Sequence, residues 1–171
     1  MDIFTTYSVR IDRSTRIFQD TVSWYRRSVD FFIRVILLEK EELFRLRTQN
    51  ERVNAAEKLT VITSCRPEVK YDFGKEFYKF PSYYRRAAIA EALGSVSSYL
   101  SRLKSWEKED TKTRGKEPGL PKAGFTCPAL YKKGCYVRLS DYTAGIKVWV
   151  RNTWDWVTVN LRKSDAEYPL F

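Results

Sequence analysis

Two short stretches near the C-terminus alternate between aliphatic and other residues. In residues 146–151 and 156–161 every second position is Ile, Val or Leu, and a short polar turn separates the stretches. Period-2 alternation on both sides of a turn predicts a β-hairpin with one aliphatic face. The other face carries Trp149 and Trp156 beside Lys147 and Arg151. An outward tryptophan next to a cation is suited to stack on a base while the cation holds a phosphate. The alternative is that this face packs beneath a helix.

The chain is strongly basic. Its net charge is +10 over 171 residues, with 43% apolar residues to build a core. Such a charge repels itself in the free protein and predicts an anionic partner, with nucleic acid first and a membrane surface second. No stretch approaches roughly 18 consecutive apolar residues, so we expect no bilayer span. Because nucleic acid is the first choice for the anionic partner, we predict no membrane partner. There is no secretory signal pattern, and three cysteines are an odd number for a disulfide framework. The expected compartment is the cytoplasm.

The residue types and motifs that carry most enzyme chemistry are missing. The absence of histidine excludes Ser-His and Cys-His pairs and removes the commonest metal ligand. No CxxC, GxxxxGK[ST] or GxGxxG pattern is present, so neither a zinc site nor a phosphate-cradling loop is indicated. Most carboxylates lie in helical charge runs, such as residues 39–42 and 107–110, whereas a magnesium site needs several that converge. We therefore predict no active site, no cofactor and no metal.

The spacing of the hydrophobic residues changes along the chain, from every second residue to about every 3.6 residues and back to every second residue. Residues 7–11 alternate as a short strand. Asp12 or Ser14 then caps a helix whose apolar stripe covers residues 17–37. A second helical run covers residues 50–62 and ends before an Arg-Pro pair.

A third helical block begins at Ser82, the predicted N-cap. Gly94 and the serines at 95, 97 and 98 predict a break or kink, after which residues 99–106 resume a helical apolar pattern. A helix, a short break and a second helix loosely resemble a helix-turn-helix.

After this block the chain returns to a strand pattern. Residues 111–122 are rich in Gly, Pro and cations and predict an exposed connector. Short strand candidates follow around residues 129–131 and 136–139, separated by a turn at 132–134, and the hairpin comes next.

The predicted fold class is α+β, a small antiparallel β-barrel with an inserted helical lobe. Residues 1–12 and 120–171 form the barrel domain, residues 13–110 form the lobe, and residues 111–119 link the two. This order requires the N-terminal strand to pair with a strand that follows Lys122.

The segment from Lys122 to Lys163 is the most basic part of the chain, with eight Lys or Arg against two Asp. Aromatic residues are interleaved with these cations. Cations supply affinity for phosphate and flat rings supply stacking, as binding to RNA or single-stranded DNA requires. The alternative is that rings such as Tyr136 and Trp154 fill the barrel core. The candidate nucleic-acid contacts here are Lys122, Lys132, Lys133, Arg138, Lys147, Trp149, Arg151, Trp156, Arg162 and Lys163.

Three blocks, at residues 79–99, 119–122 and 151–157, resemble the N-terminal half of TnpB-type transposon-encoded proteins. These are RNA-guided endonucleases related to type V CRISPR effectors. The order of elements also fits, with an N-terminal strand, an inserted helical recognition lobe and then the remaining strands of a wedge barrel. The resemblance covers essentially the whole chain, although its motifs are more diffuse than a catalytic signature.

The resemblance implies the nucleic-acid-holding half of such a protein. The wedge strands would bind a guide or scaffold RNA, and the lobe would recognise a short motif in duplex DNA. The lobe candidates for that contact are Tyr83, Arg85, Arg86, Ser95, Ser97 and Ser98. Members of the family continue into a RuvC-like nuclease domain with three acidic metal ligands. This chain stops before such a domain, which implies a truncated protein or a nuclease half encoded separately.

Two other classes of function remain open at this point. A helix-turn-helix transcription regulator would read duplex DNA with residues 82–106. A non-catalytic subunit would dock on a protein partner through the apolar helix face at residues 17–37. Preference for RNA, for one duplex sequence, or for a protein partner distinguishes the three.

Overall fold

The computed structural model describes residues 10–11, 16–110 and 113–162. The chain divides into two compact units. The first comprises the described parts of residues 1–21 and 130–171, and the second those of residues 22–129. Like the division predicted from the sequence, this one joins an N-terminal segment to the C-terminal strands. The boundaries differ, and the predicted domains stay a prediction.

Five helices lie among the described residues: α1 (Arg16–Leu38), α2 (Lys40–Leu43), α3 (Gln49–Thr60), α4 (Phe73–Glu76) and α5 (Ser82–Lys108). The α1 helix confirms the apolar stripe read from the sequence, whereas the proposed caps Asp12 and Ser14 lie outside the described residues. The α3 helix starts with a capping box, in which Thr48 and Glu51 each accept a backbone N–H of the other. No helix in the described part of the chain is long and apolar enough to cross a membrane.

The core of the second unit is rich in aromatic rings. Phe73 stacks on Phe32 at 4.9 Å and on Phe77 at 4.6 Å, and Tyr25 meets Tyr84 edge to face at 6.4 Å. All five side chains are buried. The segment before α5 looks irregular in the sequence because its aromatic residues fill this core rather than follow a helical or strand period.

A buried carboxylate ties the end of α1 to the chain beyond α3. Glu39 accepts hydrogen bonds from Lys70 Nζ at 2.6 Å and from the Tyr71 hydroxyl at 2.7 Å. These two bonds hold the pKa of Glu39 below its ordinary value of 4.5. The carboxylate therefore stays charged within its buried position.

The predicted break in the third helical block is wrong. The α5 helix runs without interruption from Ser82 to Lys108, straight through Gly94. Leu93 and Val96 on either side of the glycine are buried, and their packing outweighs the roughly 1 kcal/mol that one glycine costs a helix. The predicted N-cap is also displaced, because Pro81 occupies that position and Ser82 is the first helical residue.

The first unit contains three antiparallel strands in the order β1 (Tyr136–Arg138), β2 (Thr143–Val150) and β3 (Thr153–Asn160). This confirms the predicted hairpin. Its turn consists of Arg151 and Asn152, whose φ angles of 50° and 59° match the two-residue turn that suits the twist of a hairpin.

The strand predicted around residues 129–131 is absent from the structure. The carbonyl of Tyr131 instead accepts backbone N–H groups from Gly134, Cys135 and Tyr136 at 2.9–3.2 Å. These bonds fold the chain into a turn just before β1. Of the two short strands predicted here, only the second one, around residues 136–139, is present as a strand.

Residues at the two ends of the chain pair with each other. Ile11 forms an antiparallel bridge with Leu161, and the Arg162 N–H donates to the Arg10 carbonyl at 3.0 Å. Pairing between the N-terminal segment and the chain after Lys122 is therefore confirmed at Ile11, while residues 7–9 lie outside the described part. The described strands form an open sheet, and the closed barrel stays a prediction.

The aliphatic face of the sheet is the core of the first unit. Ala144, Ile146 and Val148 are buried on it, and Ile17 and Phe18 from the start of α1 pack against it. A helix thus covers the aliphatic side of the hairpin, which leaves the tryptophan side as a separate surface.

Candidate nucleic-acid interface

The strand register places four side chains of the hairpin on one face. Lys147 is directly opposite Trp156, and Trp149 is directly opposite Trp154. Opposed residues in an antiparallel pair point to the same side of the sheet, and the side alternates along each strand. We call the face carrying Lys147, Trp149, Trp154 and Trp156 the indole face.

The side chains of the indole face contact one another in two cross-strand pairs. The Lys147 ammonium lies 5.7 Å from the centre of the Trp156 ring, in cation–π range. The rings of Trp149 and Trp154 meet at 5.5 Å with an interplanar angle of 64°. Trp156 is 41% exposed, whereas the other three side chains are half-buried. The accessible part of this face therefore combines an aromatic ring with a cation.

The hairpin edge next to α1 is fixed by a buried hydroxyl. Thr21 accepts the Trp149 N–H at 2.8 Å and donates to the Ile17 carbonyl at 2.8 Å. Such an anchor holds the backbone under the indole face in place, which limits the entropy lost when a ligand binds.

Gly145 also lies on this face, although no site residue was predicted at this position. A Cβ atom at Gly145 would lie 2.9 Å from a Val137 methyl carbon and 3.5 Å from the Trp156 ring. Because Gly145 has no side chain, the side chains of Val137 and Trp156 can pack directly against the strand at this position. A glycine inside a strand pattern is itself the signal for such close approach, so this role was detectable.

The remaining basic candidates between Lys122 and Lys163 differ in exposure and in hydrogen bonding. The Arg138 guanidinium donates to the Ser140 carbonyl at 2.6 Å and to the Asp141 carbonyl, so it braces the turn before β2. Arg138 pairs with Ala144, which places it on the aliphatic face. The exposed candidates are Lys122, Lys132, Lys133, Arg151 and Arg162, of which Lys122 belongs to the second unit. Lys163 lies outside the described residues.

The two arginines predicted to contact duplex DNA are paired with α3. Arg85 Nη2 lies 3.2 Å from Glu57 Oε1, and Arg86 pairs with the other oxygen of Glu57 and with Asn54. The Arg85 and Glu57 side chains are each only 18% exposed. The other lobe candidates lie along α5, where Tyr83, Ser97 and Ser98 are exposed and Ser95 is half-buried. The structure thus places all the lobe candidates on one helix of the second unit.

Replacing Arg85 and Arg86 with alanine is expected to lower the free energy of unfolding by about 1–3 kcal/mol, because the Glu57 carboxylate loses its partners in a partly buried position. Urea denaturation measures this, with the exposed Arg102→Ala as a matched control expected to change stability by less than about 0.5 kcal/mol. A double variant that keeps wild-type stability but loses duplex-DNA binding would contradict the bracing role and support the predicted DNA contact.

Comparison with known proteins identifies a family. Residues 5–150 match the model of the Aq_aa04 family. The chain is 32% identical over 133 residues to "Uncharacterized protein aq_aa04" of Aquifex aeolicus (strain VF5), an alignment covering 70% of this chain and 71% of that protein. No solved structure matches the chain. The family match extends from the N-terminal segment to the end of β2, and the chain belongs to the Aq_aa04 family.

Proposed function

We propose that this protein binds RNA through the indole face of its β-hairpin. The observation that carries the proposal is the Lys147–Trp156 pair, which joins a partly exposed indole ring to an ammonium group 5.7 Å from its centre. An exposed ring gives a base a stacking surface, and a cation beside it meets the phosphate that follows that base.

The surroundings of the pair favour an anionic, single-stranded ligand. Arg151 is exposed at the hairpin tip, so a second cation lies at the end of the same strand. The net charge of +10 attracts a polyanion over a distance, which raises the rate of encounter. Sequence readout in RNA usually involves unpaired bases, since base edges in an A-form duplex are hard to reach.

The resemblance to TnpB-type proteins supports a more specific form of the proposal. In this form the sheet is part of a wedge-like barrel that holds a guide or scaffold RNA, and the helical lobe meets duplex DNA. In this form the protein works in the cytoplasm by holding nucleic acid and has no active site of its own. The Aq_aa04 match neither adds to this form nor opposes it.

Two observations make the alternative functions less suitable. The helix-turn-helix regulator was inferred from a break at Gly94, and α5 has none. The partner-docking subunit required the apolar face of α1 to be accessible. That face is buried, since Val29, Phe32 and Ile36 lie in the core of the second unit and Ile17 packs on the sheet.

Fluorescence anisotropy with labelled oligonucleotides of equal length tests the proposal. We expect single-stranded RNA to bind more tightly than duplex DNA, with an affinity that falls linearly on a log–log plot against salt because counterions are released. RNA that co-purifies with the protein, seen as a high 260/280 nm absorbance ratio, would agree with this. Salt-independent binding, or preference for one duplex sequence, would contradict the proposal, and Mg²⁺-dependent cleavage that survives purification would overturn the non-enzyme part.

A further inference from the structure

One aromatic side chain of the second unit lies almost wholly in solvent. Phe125 is 96% exposed, whereas Phe32, Phe73 and Phe77 of the same unit are buried. A fully hydrated phenyl ring lacks the stabilisation that burial would provide. The ring is therefore accessible to a ligand.

The backbone on both sides of Phe125 is held in place by residues of α1. The Ala123 N–H donates to Asp30 Oδ1 at 2.6 Å, and Arg26 Nε donates to the Thr126 carbonyl at 3.0 Å. These bonds span 93 and 100 residues of sequence, so they are tertiary contacts rather than local turns. The ring is thus presented by an ordered backbone, and binding to it costs less conformational entropy than binding to a free segment.

A guanidinium lies near the ring, and a lysine lies close to it in the sequence. The Arg26 guanidinium carbon lies 5.9 Å from the ring centre. Lys122 is exposed three residues earlier and forms no ion pair within the described residues. The Asp30 carboxylate of α1 already accepts the Ala123 N–H. A cavity of about 310 Å³ borders this segment, and its lining combines the cations Arg34 and Lys122 with apolar side chains and one carboxylate: Asp30, Ile33, Leu37, Leu120 and Pro121. The surface therefore complements a flat group that carries negative charge next to it.

We infer that Phe125 is a second base-stacking site, which takes an unpaired nucleobase of a single-stranded nucleic acid while Arg26 and Lys122 meet the flanking phosphates. The inference rests on the proposed function, because it assigns the same class of ligand to a separate surface. A purely apolar protein partner fits less well, since it would leave the Arg26 guanidinium beside the ring without an anionic group to contact.

Crosslinking and matched variants test the site. A single-stranded RNA carrying 4-thiouridine is bound to the full chain and irradiated, and the adducts are mapped by mass spectrometry. We expect an adduct in the peptide containing Phe125 and a second one in the hairpin. Phe125→Ala should weaken binding on the order of tenfold and remove the first adduct only. Leu38→Ala, which shortens a side chain that is 70% exposed elsewhere in the unit, should bind RNA as the wild type does.

A further variant separates stacking from simple apolar contact. Phe125→Leu keeps the apolar bulk but removes the ring, so it should bind RNA as weakly as Phe125→Ala. Two results would overturn the site. One is wild-type affinity in Phe125→Leu, and the other is wild-type affinity in Phe125→Ala combined with no adduct at this peptide in the wild-type chain. If hairpin variants still lose affinity in that case, the proposed function stands. A wild-type chain that binds no single-stranded RNA at all would overturn both.

Discussion

Replacing Lys147 and Arg151 with glutamine is expected to weaken RNA binding on the order of tenfold at low salt and to flatten its dependence on salt. Each cation that neutralises a phosphate contributes about 0.7 to the log–log slope for a single strand, so the double variant should lose about 1.4. The loss should be similar for all RNA sequences, because phosphate contacts carry no sequence information. Affinities measured at four or more salt concentrations give the slope directly.

The matched control for this variant is Arg102→Gln with Lys104→Gln. These two residues are exposed on α5, so the control removes the same charge from another surface of the chain. We expect the control to shift affinity slightly through net charge and to keep most of the slope. Equal losses in the two double variants would mean that overall charge, and not the indole face, is responsible for binding.

Two glycine-to-alanine substitutions are expected to change stability in opposite directions. Gly145→Ala should lower the free energy of unfolding by about 1–3 kcal/mol, because its Cβ would come within 2.9 Å of a stiff Val137 side chain in a packed sheet. Gly94→Ala should raise it by about 0.5–1 kcal/mol, since α5 is continuous there and a Cβ would meet nothing within 4 Å. Urea denaturation of both variants provides the measurement.

The same pair of variants connects the sheet packing to binding. A Cβ at Gly145 also reaches the Trp156 ring, so Gly145→Ala should weaken RNA binding as well as stability. Gly94→Ala should leave RNA binding unchanged. If Gly94→Ala lowers stability, the helix is interrupted at Gly94, as the sequence pattern predicted, and the continuous α5 is contradicted.

The hairpin and α1 were predictable because each has a strong periodic pattern and local bonding. Strict alternation over residues 146–151 and 156–161 disfavours any pairing shifted by one residue, which would put the aliphatic side chains of the two strands on opposite faces, and the observed register keeps them on one face. The apolar stripe of α1 likewise spans about six turns, so one helix is the only local structure that gathers it.

Other features depend on contacts between distant residues, which a local pattern does not contain. The pairing of Arg85 with Glu57 joins residues 28 positions apart and links two helices, while the predicted DNA contact of Arg85 stays a prediction. The continuity of α5 reflects burial of Leu93 and Val96, a tertiary effect that overrides the weak helix propensity of Gly94. The exposure of Phe125 could not be predicted either, because an aromatic residue in a Gly- and Pro-rich segment is compatible with both burial and exposure.

The indole N–H signals of the tryptophans test the central claim most directly. The chain has five tryptophans, so a ¹⁵N-labelled sample should give a small set of indole peaks, and Trp156→Phe identifies the peak of Trp156. If RNA binds on the indole face, titration should shift the Trp156 peak most strongly among the five and in proportion to the bound fraction. Saturation with RNA that leaves the Trp156 peak unmoved would contradict the account.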